Sequence, residues 1–421
     1  MDGEQPEAPR RNGDAGATPA GPREPTAGGS GRLPEPTRRG FLAAAGLGAG
    51  TLAVIGAGGL TWRAVSQGVF ATGTGPAYAA WDQWTPPGHA PLNLIRAAVL
   101  AASAHNTQPW LFAITPARID LFAVPSRNIG TVDPLRREMQ ISLGCALENL
   151  VLAGPPHGLA PAVTLMPDPA DQTHVARVDL APAPATTPAL FRAIPYRHTN
   201  RAAYDTSRPL PAGTLSTLTG LVNNPDGNVV WLISAADKRA FGDLTVRATQ
   251  AIIADPQQSA DDYRWWRGDW SAIQTSKDGL TSDASVSSPL IGALAKLLPA
   301  SHGLYNSSWL TSTRDTQVPT AAAFGILVVR DPLDPAQRLL TGRAWQRMHL
   351  WATTQGLAMQ PLNQAEERMD RERTAGLTPT FTTAMAGILP TGWHPVFSFR
   401  IGYPTTTASP SPRIPADAVV H

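Results

Sequence analysis

Along the chain the spacing of apolar positions changes period several times. Leu92, Ile95, Ala98, Val99 and Ala102 recur three and four residues apart, which predicts a helix over Leu92–Ser103. A turn follows at Asn106–Pro109, and then two short β-like runs, Trp110–Ile114 and Ile119–Val124. Ile141, Leu143, Leu147, Leu150 and Val151 form the stripe of a second helix over Gln140–Ala153, and Val175–Leu180 and Val229–Ser234 read as strands. Phe324–Val329 is apolar without interruption, as a central strand buried on both faces requires. Asp334-Pro335 then supplies an N-cap and a first-turn proline. The helix they open runs to about Gly356, with Leu339, Leu340, Ala344, Met348, Trp351 and Ala352 facing inward. Near the end, Val396–Tyr403 alternates, with Phe397, Phe399 and Ile401 on one face. Helices and strands mix without regular βαβ alternation, which predicts an α+β fold.

Composition changes this picture mainly at the N-terminus. Residues 1–36 are rich in Pro, Gly, Ala, Glu and Arg and show no apolar period, so they read as disordered. Thr37-Arg38-Arg39-Gly40-Phe41-Leu42 follows, and no charge interrupts Phe41 to Leu60. This segment resembles a twin-arginine export signal; with its linker it is assigned to 37–80. Ala77-Tyr78-Ala79 offers a small-residue cleavage site, and the alternative is that the apolar run stays as a membrane anchor. Either way the resemblance implies export machinery as a partner, and a place outside the bacterial cytoplasmic membrane or anchored at its outer side. The Gly-rich steps at Gly46–Gly50 and Gly56–Gly59 fit no dinucleotide fingerprint and fall inside this segment. Over the whole chain, 34 basic and 32 acidic residues nearly cancel, which argues against a nucleic-acid binder. The single Cys145 excludes an internal disulfide and reads as an inert core thiol. The nine histidines show no metal-ligand spacing.

Two motifs carry chemistry. Ser103-Ala104-His105-Asn106-Thr107-Gln108-Pro109-Trp110 follows a helix, and Pro109 forbids helix continuation. Ser103, Asn106 and Gln108 there suit the polar edge of a planar heterocycle. In Arg197-His198-Thr199-Asn200-Arg201, an extended backbone puts Arg197, Thr199 and Arg201 on one face. Two guanidinium forks around a hydroxyl make a cradle for a phosphate monoester.

Together the motifs resemble the FMN-dependent nitroreductase family, and in particular its Acg-like subgroup, where one chain carries two nitroreductase-like halves. Supporting matches are Asp133-Pro134 with Arg137-Glu138, Ile141-Ser142-Leu143-Gly144, Gly356-Leu357 with Pro361, Ile401-Gly402-Tyr403-Pro404 and Ser411-Pro412-Arg413. The resemblance implies a nitroreductase-like α+β fold with halves at 81–195 and 196–421, joined as an internal pseudo-dimer and therefore monomeric. It implies FMN, with Arg197, Thr199, Arg201 and Arg413 at its phosphate, Ser103, Asn106 and Gln108 along ribityl and ring, and Asn363 and Gln364 near the reactive edge. Ala102 and Ala104 depart from the family pattern, and the first half has no cradle of its own, so one flavin per chain is expected.

No side chain stands out as a catalytic acid or base. Tyr263, Trp265, Trp266 and Trp270 form either a core anchor or a lid, and a lid-like insertion is expected around 260–320, with 275–320 as a covering loop. The implied activity moves two electrons from NAD(P)H to a nitroaromatic or quinone-like acceptor. The alternative is an FMN-binding storage or sequestration protein with little turnover.

Overall fold

The computed structural model describes residues 68, 71–85, 90–285 and 301–421. The expected disordered segment 1–36, the export signal through Leu60 and residues 286–300 of the expected covering loop lie outside them. Among the described residues no helix is long and apolar enough to cross a membrane.

The architecture is α+β. Strands β1 (Trp110–Thr115), β2 (Arg118–Ala123), β3 (Leu159–Leu165) and β4 (His174–Pro182) form an antiparallel sheet in the order β1-β2-β4-β3. A second antiparallel sheet, in the order β5-β8-β10-β9, joins β5 (Gly227–Leu232), β8 (Ala323–Val329), β9 (Ala358–Pro361) and β10 (His394–Gly402). Between β5 and β8 a two-residue parallel ladder pairs β6 (Trp266–Arg267) with β7 (Leu280–Thr281). One apolar core runs through both large sheets, from Phe112, Leu121 and Val178 to Leu327, Phe399 and Ile401. A second cluster packs Phe324, Ile326 and Val328 against Phe241, Leu244 and Phe381. Every residue of β8 is buried, as its uninterrupted apolar run requires.

Three helices matter for the site: α1 (Ala90–Ala98), α2 (Arg137–Ala153) and α3 (Pro335–Thr354). Helix α3 starts as its sequence dictates, with Asp334 accepting from the Ala336 amide at 2.8 Å. Helix α1 is shorter than its period predicts. After Ala98 the chain leaves through tight turns, and Ser103 is extended, because tertiary contacts claim the next amides. Ala102 donates to Gln346 Oε1 at 3.3 Å and Ala104 to Ser142 Oγ at 2.9 Å.

Helices α2 and α3 cross with their backbones almost touching. A Cβ on Gly144 would stand 2.1 Å from the Leu339 carbonyl oxygen, and one on Gly342 would stand 2.0 Å from that of Ile141. In each case the clashing carbonyl belongs to the residue three before the facing glycine, so the contact is reciprocal, as across a two-fold axis. Cys145 is buried beside this crossing with its Sγ 3.3 Å from the Gly342 carbonyl, and burial raises the thiol's pKa.

Two expectations are corrected. Ala77-Tyr78-Ala79 is not an exposed cleavage site: Ala77 and Tyr78 are buried and Ala79 opens the short helix Ala79–Asp82. The Ala77 amide donates to Gln274 Oε1 at 2.8 Å, and its carbonyl accepts from the Arg413 amide at 2.7 Å. The segment 275–320 is not a structureless loop, since it contains the helix His302–Ser312 and a π-turn over Thr313–Gln317. Tyr263 stacks on His302 with ring centroids 4.5 Å apart, and Trp265 packs on Ile129 and Val132, the core-anchoring alternative for these aromatics.

The glycine crossing generates a prediction. Gly342→Ala forces α2 and α3 apart by backbone contact, which no rotamer change relieves, and should cost about 1–3 kcal/mol of stability or more. Urea unfolding monitored by circular dichroism measures this, and Gly220→Ala, with nothing within 4 Å of its added Cβ, is the matched control.

Candidate functional site: an anion cleft between two motif loops

Each motif loop is shaped by local backbone chemistry. In the first, His105, Asn106 and Gln108 all have positive φ, at 46°, 54° and 52°. Asn and His enter that region more readily than most side chains, so Gln108 above all must be held there by its surroundings. Gln108 is fully buried, and its side chain does that holding. Its Nε2 donates to the Lys277 carbonyl at 2.9 Å and its Oε1 accepts from the Ile414 amide at 2.9 Å. Ser103 Oγ accepts from the Gln108 amide at 3.2 Å. His105 Nε2 lies 2.5 Å from Asp262 Oδ1; burial opposes its charge, but that carboxylate raises its pKa above the ordinary value.

The second loop, 197–201, carries Arg197, Thr199 and Arg201 to the same place, and the C-terminal strand of chain brings Ser411 and Arg413. Ala102, Ser103, Asn106, Arg197, His198, Thr199, Arg201 and Arg413 line a cleft with Leu280 and Ser411. It encloses about 370 Å³, part of it open to solvent. The structure thus brings together six of the nine residues singled out in the sequence. Gln108 does not line the cleft; its amide is spent on bracing the loop and the chain end. Asn363 and Gln364 do not line it either. Asn363 Oδ1 accepts from the Ser398 amide at 3.0 Å, and Gln364 starts the helix Gln364–Ala375.

Charge dominates the cleft. Arg197 and Arg413 are buried and Arg201 is half-buried, yet among the described residues none of the three has a carboxylate partner. Their donors reach only uncharged oxygens. Arg197 Nη2 bonds the Leu100 carbonyl at 3.0 Å and Arg201 Nη1 that of Ala284 at 3.0 Å. Arg413 reaches Asn106 Oδ1 at 2.5 Å and the Ala101 carbonyl at 3.2 Å. Among the described residues the Nε atoms of Arg197 and Arg413 are buried with no partner. Burial lowers all three guanidinium pKa values, that of Arg197 to about 10. The same burial, with Arg197 and Arg413 adjoining, pushes His198 down to about 3, so its ring is neutral at physiological pH. Buried cations without counter-charge are costly, and an anion seated among them offsets that cost.

Sequence reasoning missed three contributors. Trp81 lies with its ring 4.8 Å from the Arg413 guanidinium and edge-on to His198 at 4.6 Å, and its Nε1 donates to the Ser411 carbonyl at 2.8 Å. Leu280 covers the cleft, and Gly279 clasps Asn106 in both directions: its amide donates to the Asn106 carbonyl and its carbonyl accepts from Asn106 Nδ2, each at 3.2 Å. No short-range pattern links these residues to either motif.

A second group of ionisable residues lies on the far side of the motif loop, away from the cleft lining. Asp133 caps α2 through the amides of Glu138 and Met139, at 3.1 and 2.9 Å. Arg137 is paired with Asp370 at 2.8 Å and Glu138 is hydrogen-bonded to Glu367. Burial raises Asp133 to about 6 and Glu366 to about 7. Among the described residues no group is arranged to hold a metal ion.

No family model matches the chain. In sequence it is 28% identical over 345 residues, 82% of this chain and 93% of the relative, to a Mycobacterium tuberculosis (strain ATCC 25618 / H37Rv) protein named "Putative NAD(P)H nitroreductase Rv3131". Wherever it starts, a match of that length runs across both motif loops. The chain is thus similar in sequence, over most of its length, to a protein named as a putative nitroreductase. A shorter match, 30% identical over 93 residues, covers 22% of this chain and 28% of an M. tuberculosis protein named "Putative NAD(P)H nitroreductase acg". Among solved structures, a Bacteroides fragilis nitroreductase with bound FMN is 14% identical, with 52% of this chain and 90% of that chain covered and a TM-score of 0.31. A Sphingopyxis FMN- and NADPH-dependent nitroreductase mutant is 17% identical, covering 55% and 97%, at 0.34.

The electrostatics yield a direct test. Burial is the main cause that keeps His198 neutral, and inorganic phosphate seated among the guanidiniums offsets the repulsion from Arg197 and Arg413 that adds to it. The His198 pKa, followed by NMR of the imidazole, should therefore rise by about one unit or more on phosphate addition. An unchanged titration would mean that the anion does not enter the cleft.

Proposed function

We propose that the chain is an FMN-dependent NAD(P)H oxidoreductase of the nitroreductase type, passing two electrons to a nitroaromatic or quinone-like acceptor. One observation carries the reading: three guanidiniums without carboxylate partners converge where the Ser103–Pro109 loop also arrives. The residues present fit FMN. Arg197, Arg201 and Arg413 would take its phosphate, with the unpartnered Nε atoms of Arg197 and Arg413 supplying donors and Thr199 a hydroxyl. Ser103 and Asn106 on the facing lip would meet the ribityl chain and ring. When bound, FMN supplies the hydride-accepting and electron-donating chemistry. The protein's own part is to hold the anion, exclude water and orient the ring against a braced loop. His198 stays neutral and adds no charge to the cradle.

The two halves, 81–195 and 196–421, are read as an internal pseudo-dimer that makes the chain monomeric. The reciprocal Gly144–Gly342 crossing and one four-stranded antiparallel sheet on each side support this. Storage of FMN without turnover is the second reading, favoured by the two hydrogen bonds that tie Gly279 to Asn106 of the cleft lining. We further propose export through the twin-arginine-like segment, with any processing upstream of Ala77, because Ala77 and Tyr78 are buried and Trp81 packs on Arg413 and His198 of the cleft lining. N-terminal sequencing of the exported chain should then find Trp81 retained.

One spectrum separates the readings. The purified wild-type chain should be yellow and bleach with NAD(P)H without oxygen; yellow protein that does not bleach is the storage protein. Losing one charge-assisted contact of about 1.5–3 kcal/mol, Arg201→Ala should bind FMN about ten- to hundredfold more weakly while keeping its circular dichroism. Equal flavin content in both proteins would refute the cradle.

A further inference from the structure

Two side chains outside both motifs reach the lips of the cleft from a single helix. Gln346 and His349 lie three residues apart on α3 and therefore on one face. Gln346 is fully buried. Its Oε1 accepts from the Ala102 amide at 3.3 Å, and its Nε2 donates to Asn149 Oδ1 at 2.8 Å across the crossing of α2 and α3. Asn149 Nδ2 in turn donates to the Ala97 carbonyl at 2.9 Å, near the end of α1. His349, 1% exposed, sets its ring against the backbone of His198, with its Nδ1 buried and unpartnered among the described residues. Ala102 and His198 are cleft-lining residues, one on each lip. A polar seam inside the helix pair thus ends on both walls of the site.

We infer that Gln346 and His349 are positioning residues that seat the two lips of the cleft on one rigid helix, Gln346 setting the Ser103–Pro109 loop and His349 setting the Arg197–Arg201 loop. The inference rests on the FMN reading of the cleft. A buried amide or carbonyl needs a partner, so each lip settles where α3 offers one. Apart from one distorted 3-10 turn at Ala104–Asn106, neither loop contains regular secondary structure, and Ala102 and His198 lie outside that turn. Burial, with Arg197 next to it, holds His349 well below its ordinary pKa, so the ring acts as a neutral prop and brings no further charge against the guanidiniums.

The two residues act on different lips, and two probes of different reach should distinguish them. Inorganic phosphate needs only the guanidiniums; FMN needs both lips. With the full chain stripped of flavin, FMN binding is followed by quenching of flavin fluorescence and phosphate binding by the His198 imidazole signal. Gln346→Met should weaken FMN about tenfold and leave phosphate within about twofold. His349→Leu should weaken both, each about tenfold, and His349→Gln, which keeps a polar group in place, should recover most of the loss. If Gln346→Met weakens phosphate as much as FMN, or if neither variant changes FMN binding, the assignment is wrong. If Gln346→Met does not fold, His349→Leu and its recovery by His349→Gln decide the question. A wild-type chain that binds phosphate but not FMN overturns the cofactor reading; one that binds both, with the variants unchanged, overturns only the positioning roles.

Discussion

Among the described residues three guanidiniums share one cleft without a carboxylate to meet them, and the walls of that cleft are arranged around this fact. Taking a cation out of water is expensive unless hydrogen bonds or an opposite charge replace the lost hydration. Here the replacement is partial. The carbonyls of Leu100, Ala101 and Ala284 and the amide oxygen of Asn106 take some donors, while the Nε atoms of Arg197 and Arg413 are left over. The carbonyls come from the end of one helix and from the segment after β7, so the arginines also fasten the walls of the cleft to each other. An anion seated among them would complete both the charge balance and the donor inventory.

The opposite charge is kept elsewhere. Glu138, Glu366, Glu367, Asp133 and Asp370 gather around Arg137, and their burial pushes several of them toward the neutral acid. Placed in the cleft, any one of them would neutralise an arginine and occupy the donors that an incoming anion needs. His105, bonded to Asp262, and Asn106, bonded to Arg413, are sequence neighbours that face these two environments. The loop between them keeps its positive-φ geometry because Gln108 ties it to Lys277 on one side and Ile414 on the other.

Beneath both lips lies the crossing of α2 and α3. Close approach at Gly144 and Gly342 brings Asn149 and Gln346 within hydrogen-bonding distance and leaves α3 able to reach Ala102 and His198. Two glycines therefore have an effect at the site although neither lies in it. Trp81 packs against Arg413, His198 and the Ser411 carbonyl of the cleft lining, so this stretch of chain is built into the folded body and is not a spacer.

Much was legible in the sequence by itself. The apolar run of β8, the Asp334-Pro335 start of α3 and the alternation in β10 were readable because local spacing and capping chemistry act over a few residues. The residue types of the two motifs likewise announced an anion cradle and a polar loop. Only the tertiary structure decided which residues line the cleft and which spend their polar groups on the fold. Gln108, Asn363 and Gln364 have the right chemistry, but Gln108 and Asn363 give their side chains to distant backbone groups, and Gln364 opens a helix away from the cleft. Trp81, Gly279, Gln346 and His349 carry no local signature, because their roles are set by partners tens to hundreds of residues away. Spacing along the chain records short-range preference, whereas the choice between two satisfied partners for one buried polar atom is made only when the distant segments meet.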